Sequence, residues 1–163
     1  MHGFLARLEA LAAGHPLELM LFVGVVCFVS GFLPLIHSET FLVSASALCP
    51  PSFILPMAAS AAIGQMAAKV LLYFAGVGVM RLPLRRYHAK AAAARERFER
   101  RRGSTGTFLF ASAVLGFPPF YAVSVMAGAL RLDLVTFVLA GLAGRFVRFA
   151  VFVALPQLRL LWS

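Results

Sequence analysis

Five ionisable side chains stand in stretches that are otherwise uncharged, and any chemistry would be built from them: His37, Glu39, Lys69, Arg145 and Arg148. Glu39 precedes 29 residues without a formal charge, and Lys69 ends that run. Arg145 and Arg148 are three apart, so on a helix they share roughly one face. Inside a membrane-spanning segment such a group costs roughly 2.5 to 3.5 kcal/mol on insertion scales, so it faces a cavity or a partner. Two arginines and a lysine against one glutamate leave surplus positive charge, which an anionic group such as a lipid phosphate would balance. The planar fork of arginine suits phosphate oxygens, with Lys69 in support or snorkelling on its long stem. The competing reading is an internal lock, Glu39 with Arg148 for example. Glu39 is either an acid directed among the helices, able to gate a path, or a carboxylate at a helix start on the water interface. His37, beside it, would titrate near neutral pH as a proton-linked group, or would be simply an interfacial polar residue.

Other chemistry finds less support. Hydrolysis of a lipid phosphate needs a positioned nucleophile or base with its orienting partner. His2 and His15 precede the first apolar stretch and His88 lies among basic residues, so an enzyme is not expected. Cys27 and Cys49 are 22 residues apart without a C-x-x-C or a histidine cluster, so no disulfide framework, metal or cofactor is signalled. The net charge of +9 would suggest nucleic acid if it were spread over a surface. Nine of the fifteen cations lie between Arg81 and Arg102 in one loop, so nucleic acid is not an expected partner.

The elements that must position these residues are set by apolarity. Of the 163 residues 61% are hydrophobic and 13% charged, with a mean hydropathy of +0.90. That composition describes an all-α polytopic membrane protein. Residues 19–36 are uncharged and as a helix would reach roughly 27 Å, one full span. Residues 40–68 and 70–80 are interrupted by Cys49-Pro50-Pro51, because each proline removes an amide donor and clashes with the preceding turn. The reading is a short segment over 38–48 and a full span over 52–80. The pattern recurs after the basic loop: residues 103–130 are broken at Phe117-Pro118-Pro119, as a re-entrant turn or a kink, and a last span covers 133–155. About three full spans thus accompany two half-length, re-entrant segments, whose backbone must be satisfied by protein or a polar cavity. Asp133 is expected to cap the last helix.

The basic loop at 81–102 sets orientation, because short loops rich in Lys and Arg stay cytoplasmic. The two re-entrant segments then enter from opposite faces, an inverted repeat. Gly31-Phe32 with Pro34 stands beside Gly116-Phe117-Pro118, and Gly64 with Lys69 beside Gly144 with Arg148. Leu84, Tyr87, Ala91, Ala94 and Phe98 give the loop one apolar face, so it lies on an anionic leaflet or is a solvated helix that only sets topology. Residues 1–16 place Phe4, Leu5, Leu8, Leu11 and Ala12 on one side, as a short interfacial helix would. Ala45-Ser46-Ala47 resembles a signal cleavage site but follows too long an apolar core, so the segment is expected to be retained.

Leu33-Pro34-Leu35-Ile36-His37-Ser38-Glu39 resembles the proline-then-glutamate signature of the DedA family, the bacterial branch of the SNARE-associated Golgi proteins with a VTT domain. Ala127-Gly128-Ala129-Leu130-Arg131 is similar to the family's A-G-x-x-R after a proline-containing turn, and Gly144-Arg145-Phe146-Val147-Arg148-Phe149 to its G-R-x-x-R-[FY]. The resemblance covers residues 31–153. It implies one VTT-like domain over 17–163 in a bacterial inner membrane, with two re-entrant segments meeting inside it. By position it makes Glu39 the essential acid and Arg145 and Arg148 the late arginines. The partners it implies are membrane phospholipids or undecaprenyl phosphate; a homo-oligomer is compatible with it. His37 stands where many members have a second proline. Tyr121 or Ala122 stands where many have an arginine, which counts against proton-coupled or undecaprenyl-phosphate transport.

The expectation is therefore a transporter or scramblase that moves anionic phospholipid or polyprenyl-phosphate headgroups between leaflets through a polar groove. The alternative is a non-catalytic accessory or scaffold subunit. Its Gly- and Ala-rich faces at 58–68 and 140–144 would pack against partner helices.

Overall fold

The computed structural model describes residues 16–32, 38–47, 49, 51–79 and 102–160. The expected interfacial helix, Pro34, His37 and the basic loop as far as residue 101 lie outside them. The described residues are helical, with no strand among them: α1 Pro16–Ser30, α2 Ser38–Ser46, a 3-10 turn Pro51–Phe53, α3 Ile54–Val79, α4 Arg102–Leu115, α5 Phe120–Ala129 and α6 Leu134–Leu160. Among the described residues two stretches are long and apolar enough to cross a membrane, Pro51–Gly78 and Leu134–Pro156.

The first apolar stretch differs from its expected full span. Its helix begins earlier, at Pro16, and covers 15 residues. It ends because Gly31 N–H donates to the carbonyls of both Cys27 and Phe28, and Phe32 N–H to Val29, the tighter bonding that closes a helix. The last helix runs on to Leu160 through Pro156. A proline this near a C-terminus removes one amide bond without ending the helix. At Pro118-Pro119 the chain breaks rather than kinks, with α4 ending at Leu115 and α5 beginning at Phe120.

The chain divides into two compact units, Met1–Gln65 with Phe146–Ser163, and Met66–Arg145. The long helices α3 and α6 each run through both.

In the first unit α1 crosses the start of α3 where both present small residues. A Cβ on Gly64 would fall on the carbonyl oxygen of Gly24. One turn earlier, the Ser60 hydroxyl donates to the Met20 carbonyl. This is the small-xxx-small contact that lets helix backbones approach closely in apolar surroundings. Phe22 and Phe41 meet edge to face at 6.2 Å and join α1 to α2. Two serines of α2 bond back to their own helix, Ser44 to Thr40 O at 2.9 Å and Ser46 to Val43 O at 3.0 Å. Leu17, Leu21, Val25 and Val29 form an exposed apolar stripe along α1.

In the second unit the end of α3 crosses α5 through Gly76 and Gly128, whose Cβ atoms would fall on the carbonyls of Val125 and Tyr73. The Tyr73 hydroxyl donates to Leu132 O at 2.6 Å. Its ring lies 5.3 Å from that of Phe137, which stacks on Phe120 at 5.9 Å. The break between α4 and α5 is satisfied locally, the Ser112 hydroxyl donating to Pro118 O at 2.9 Å.

The element lengths recur. Helices α1, α2 and α3 have 15, 9 and 26 residues, and α4, α5 and α6 have 14, 10 and 27. Gly64 and Gly144 each stand ten residues after the start of their long helix. Each meets the short partner eight residues after its start, at Gly24 and Phe110. This register aligns Gln65 with Arg145 and Lys69 with Phe149, one position from the pairing of Lys69 with Arg148 suggested by sequence.

Candidate functional site

Glu39 and Arg148, 109 residues apart in sequence, meet in the first unit. Helix α2 carries Glu39 in its first turn, where the positive end of the helix favours an acid. Arg148 lies in the middle of α6. Its Nε and Nη2 both donate to Glu39 Oε1, at 3.0 and 2.9 Å. The second oxygen, Oε2, accepts the Ser38 hydroxyl at 3.3 Å. The pair is not sealed: the Arg148 and Glu39 side chains are 22% and 26% exposed. Arg148 also lies 5.5 Å from the ring centroid of Phe152, a favourable place for a cation.

The arrangement continues through residues that sequence reasoning did not single out. Gln65 Nε2 donates to Ser38 Oγ at 2.7 Å and to Ser30 Oγ at 3.3 Å, and Ser30 donates to Cys27 O at 2.8 Å. All three side chains are buried. Gln65 is the only carboxamide within the long apolar run, and that was the available signal. A buried amide is costly unless its hydrogen bonds are made, so one in an apolar helix marks a polar partner elsewhere in the fold. Ser30-Gln65-Ser38-Glu39-Arg148 thus forms one polar cluster drawing on α1, α2, α3 and α6.

No family profile, curated protein or solved structure matches the chain.

In the second unit Arg145 and Lys69 are buried, 6% and 5% exposed, and lie close enough to repel one another. The Arg145 guanidinium sits 4.8 Å above the Phe120 ring, on the aromatic stack with Phe137. The guanidinium is thus held against a π face.

The remaining motif residues shape the backbone. Asp133 Oδ2 accepts both the backbone N–H and the hydroxyl of Thr136, at 2.8 and 2.7 Å, and so caps α6. Pro119 stands at the N-cap of α5 and Pro118 in the break before it. Gly128 is where α5 touches the backbone of α3. Arg131 is exposed and holds a left-handed conformation, φ 49°, where α5 ends. There Leu132 N–H bonds to Ala127 O and Arg131 N–H to Gly128 O, the two closures of a Schellman motif. Cys27 and Cys49 are buried and not joined in a disulfide. Among the described residues no group of three or more His, Cys, Asp or Glu could hold a metal ion.

Proposed function

We propose that this is a multi-pass, DedA-like protein of a bacterial inner membrane that moves phosphate-bearing lipid headgroups between leaflets as a transporter or scramblase. The observation that carries the reading is the partly exposed Glu39–Arg148 pair within apolar helices. A headgroup needs no bond broken to cross; it needs charged partners that replace water along the way. Arg148 would contact the phosphate and Glu39 would exchange partners with it as it passes. Arg145 and Lys69 supply positive charge in the other unit.

Two further features support it. Exposed Leu17, Leu21, Val25 and Val29 on α1, and Val135, Leu139, Val147 and Val151 on α6, are large apolar surfaces suited to hydrocarbon. Helices α2 and α5 would rise only about 13 and 15 Å, half of a roughly 30 Å hydrocarbon core, the length of re-entrant segments. The basic residues between Arg81 and Arg102 would keep their loop in the cytoplasm, against an anionic leaflet.

The accessory-subunit alternative called for small-residue faces available to a partner. Ala58, Ala61, Ala62 and Ala68 are at most 1% exposed. Gly64 and Gly144 are taken up by Gly24 and Phe110. Much of those faces is thus buried within the chain, while Ala67 and Ala143 stay exposed.

The test is leaflet exchange of acyl-labelled fluorescent phospholipids in liposomes holding the purified protein. Exchange at least tenfold above protein-free liposomes is expected, returning to baseline in folded Glu39→Ala and Arg148→Ala. Undiminished exchange in Arg148→Ala would falsify the assigned role of the pair.

A further inference from the structure

Ser30 is the last residue of α1 and Ser38 the first of α2. Both hydroxyls accept from the same atom of α3, Gln65 Nε2, at 3.3 and 2.7 Å. An amide nitrogen carries two N–H groups, one for each serine. Each serine in turn donates onward, Ser30 to Cys27 O at 2.8 Å and Ser38 to Glu39 Oε2 at 3.3 Å. From this juxtaposition we propose that Gln65 is a latch: its one amide nitrogen holds the start of α2 to the end of α1, and α2, bearing Glu39, opens locally as a unit when that hold is lost. The inference goes beyond the lipid-moving reading and stands whatever the Glu39–Arg148 pair takes up.

The first argument is how α2 is seated. Of its nine residues the buried ones are Ser38, Leu42, Ala45 and Ser46, so half of what it buries is polar. The other half-length helix, α5, buries Phe120, Val123 and Ala127 and stacks Phe120 on Phe137. An element with little buried apolar surface opens at a smaller free energy than the whole fold. A helix of nine residues has little stability of its own to oppose that opening. Polar ties therefore matter more to α2 than to α5. A hydrogen bond is short-ranged and directional, so a small displacement of α2 releases Gln65 outright.

The second argument is what α2 carries. Glu39 follows Ser38 in the first turn, so the latch that holds the one aims the other. With the latch closed, Glu39 Oε1 lies 2.9 Å from Arg148 Nη2. With it open, α2 takes the carboxylate away from the guanidinium. Gln65 is thus a positioning residue that acts on the acid through Ser38.

The experiment is amide hydrogen–deuterium exchange, read by mass spectrometry on the full-length protein in detergent micelles. Helix α5, as short as α2 and seated on apolar side chains, is the internal reference. In Gln65→Leu the amides of α2 are expected to exchange at least fivefold faster, and those of α5 within twofold of the unsubstituted protein. Ser38→Ala, which removes the hydroxyl the latch holds, is expected to do the same. Ser44→Ala, a serine of α2 bonded to Thr40 O instead, is expected to leave α2 within twofold. Unchanged exchange of α2 in both Gln65→Leu and Ser38→Ala overturns the inference. So does an equal acceleration of α5, which would make Gln65 a support of the whole fold. If Gln65→Leu does not fold, Ser38→Ala against Ser44→Ala decides the matter. No lipid probe enters the measurement, so a protein that fails to move lipids can still show the latch, and one that moves them can lack it.

Discussion

Arg148 meets Glu39 side-on, with Nε and Nη2 sharing Oε1 at 3.0 and 2.9 Å, while Oε2 is taken by the Ser38 hydroxyl. The carboxylate is therefore gripped from two helices at once. Helix α2 has nine residues, too few to be stable alone, because forming the first helical turn is costly and so short a helix cannot repay it. Its first turn is pinned to α6 by the ion pair and to α3 by the bond from Gln65 to Ser38. One constellation thus positions the candidate charges and fixes the short segment that bears them.

Removing both members of the pair should cost less than the two single removals summed. Arg148→Met leaves a carboxylate with one hydroxyl donor, and about 2 to 3 kcal/mol of stability should be lost, below the 3 to 5 kcal/mol of a fully enclosed pair because both side chains are partly exposed. Glu39→Leu with Arg148→Met removes both charges and should fall short of the summed single losses by at least about 1 kcal/mol. Unfolding in detergent micelles over the double-mutant cycle measures this coupling, and strictly additive losses would reject it.

Two glycines of α3 should respond oppositely to the same change. A Cβ on Gly64 meets a backbone carbonyl of α1, which cannot rotate away, whereas one on Gly78 meets nothing within 4 Å. Gly64→Ala should destabilise by about 2 kcal/mol or more, from forced separation of the helices. Gly78→Ala should be neutral or stabilise by about 0.5 to 1 kcal/mol, through helix propensity and a less flexible unfolded chain. Thermal unfolding of the two variants side by side is sufficient; equal effects would mean that α1 and α3 do not cross at Gly64.

Much of the helical layout was legible because proline acts locally. Pro51 and Pro118-Pro119 interrupt apolar runs wherever the chain folds, so the short segment before Pro51 could be read directly, while Pro118-Pro119 allowed either a kink or the break that separates α4 from α5. The end of α1 could not, since nothing charged or cyclic marks Ser30, and the closure depends on Gly31 and Phe32 adopting tighter turns. At the site, Glu39 and Arg148 stood out as charges in apolar surroundings, and their pairing was one of two readings that charge alone permits. Gln65 is not marked by charge, and a single neutral amide has no obvious partner until α1 and α2 bring Ser30 and Ser38 to it. The offset between Lys69 and Arg148 has the same origin: matching charge types does not fix helical register, whereas the glycine contacts do.

Arg131 separates backbone strain from side-chain use. A left-handed conformation costs a non-glycine residue roughly 1 to 2 kcal/mol, and glycine recovers most of that at the expense of a more flexible unfolded chain. Arg131→Gly should raise stability by about 0.5 to 1 kcal/mol, and Arg131→Val should lower it by about 1 kcal/mol or more, since β-branched side chains suit φ 49° least. Melting temperatures of the three proteins test the backbone account. If Arg131→Gly is the least stable, the arginine side chain holds the turn through contacts that outweigh its strain.

Gln65 should be coupled to Arg148 although the two share no hydrogen bond in the cluster. Its amide donates to Ser38, and Ser38 donates to the oxygen of Glu39 that Arg148 does not use. Gln65→Leu withdraws the donor, leaves two buried hydroxyls one bond short, and should cost about 1 to 2 kcal/mol. It also frees Ser38 to rotate away from Glu39 Oε2, so the carboxylate is less well aimed at the guanidinium. Arg148→Met should therefore cost less in the Gln65→Leu background than in the unsubstituted protein, by at least about 0.5 kcal/mol. Ser38→Ala, which cuts the same link nearer the acid, should reproduce that reduction. A cycle in which Gln65→Leu and Arg148→Met are additive while Ser38→Ala and Arg148→Met are coupled would place the effect in Ser38 alone and remove Gln65 from the network.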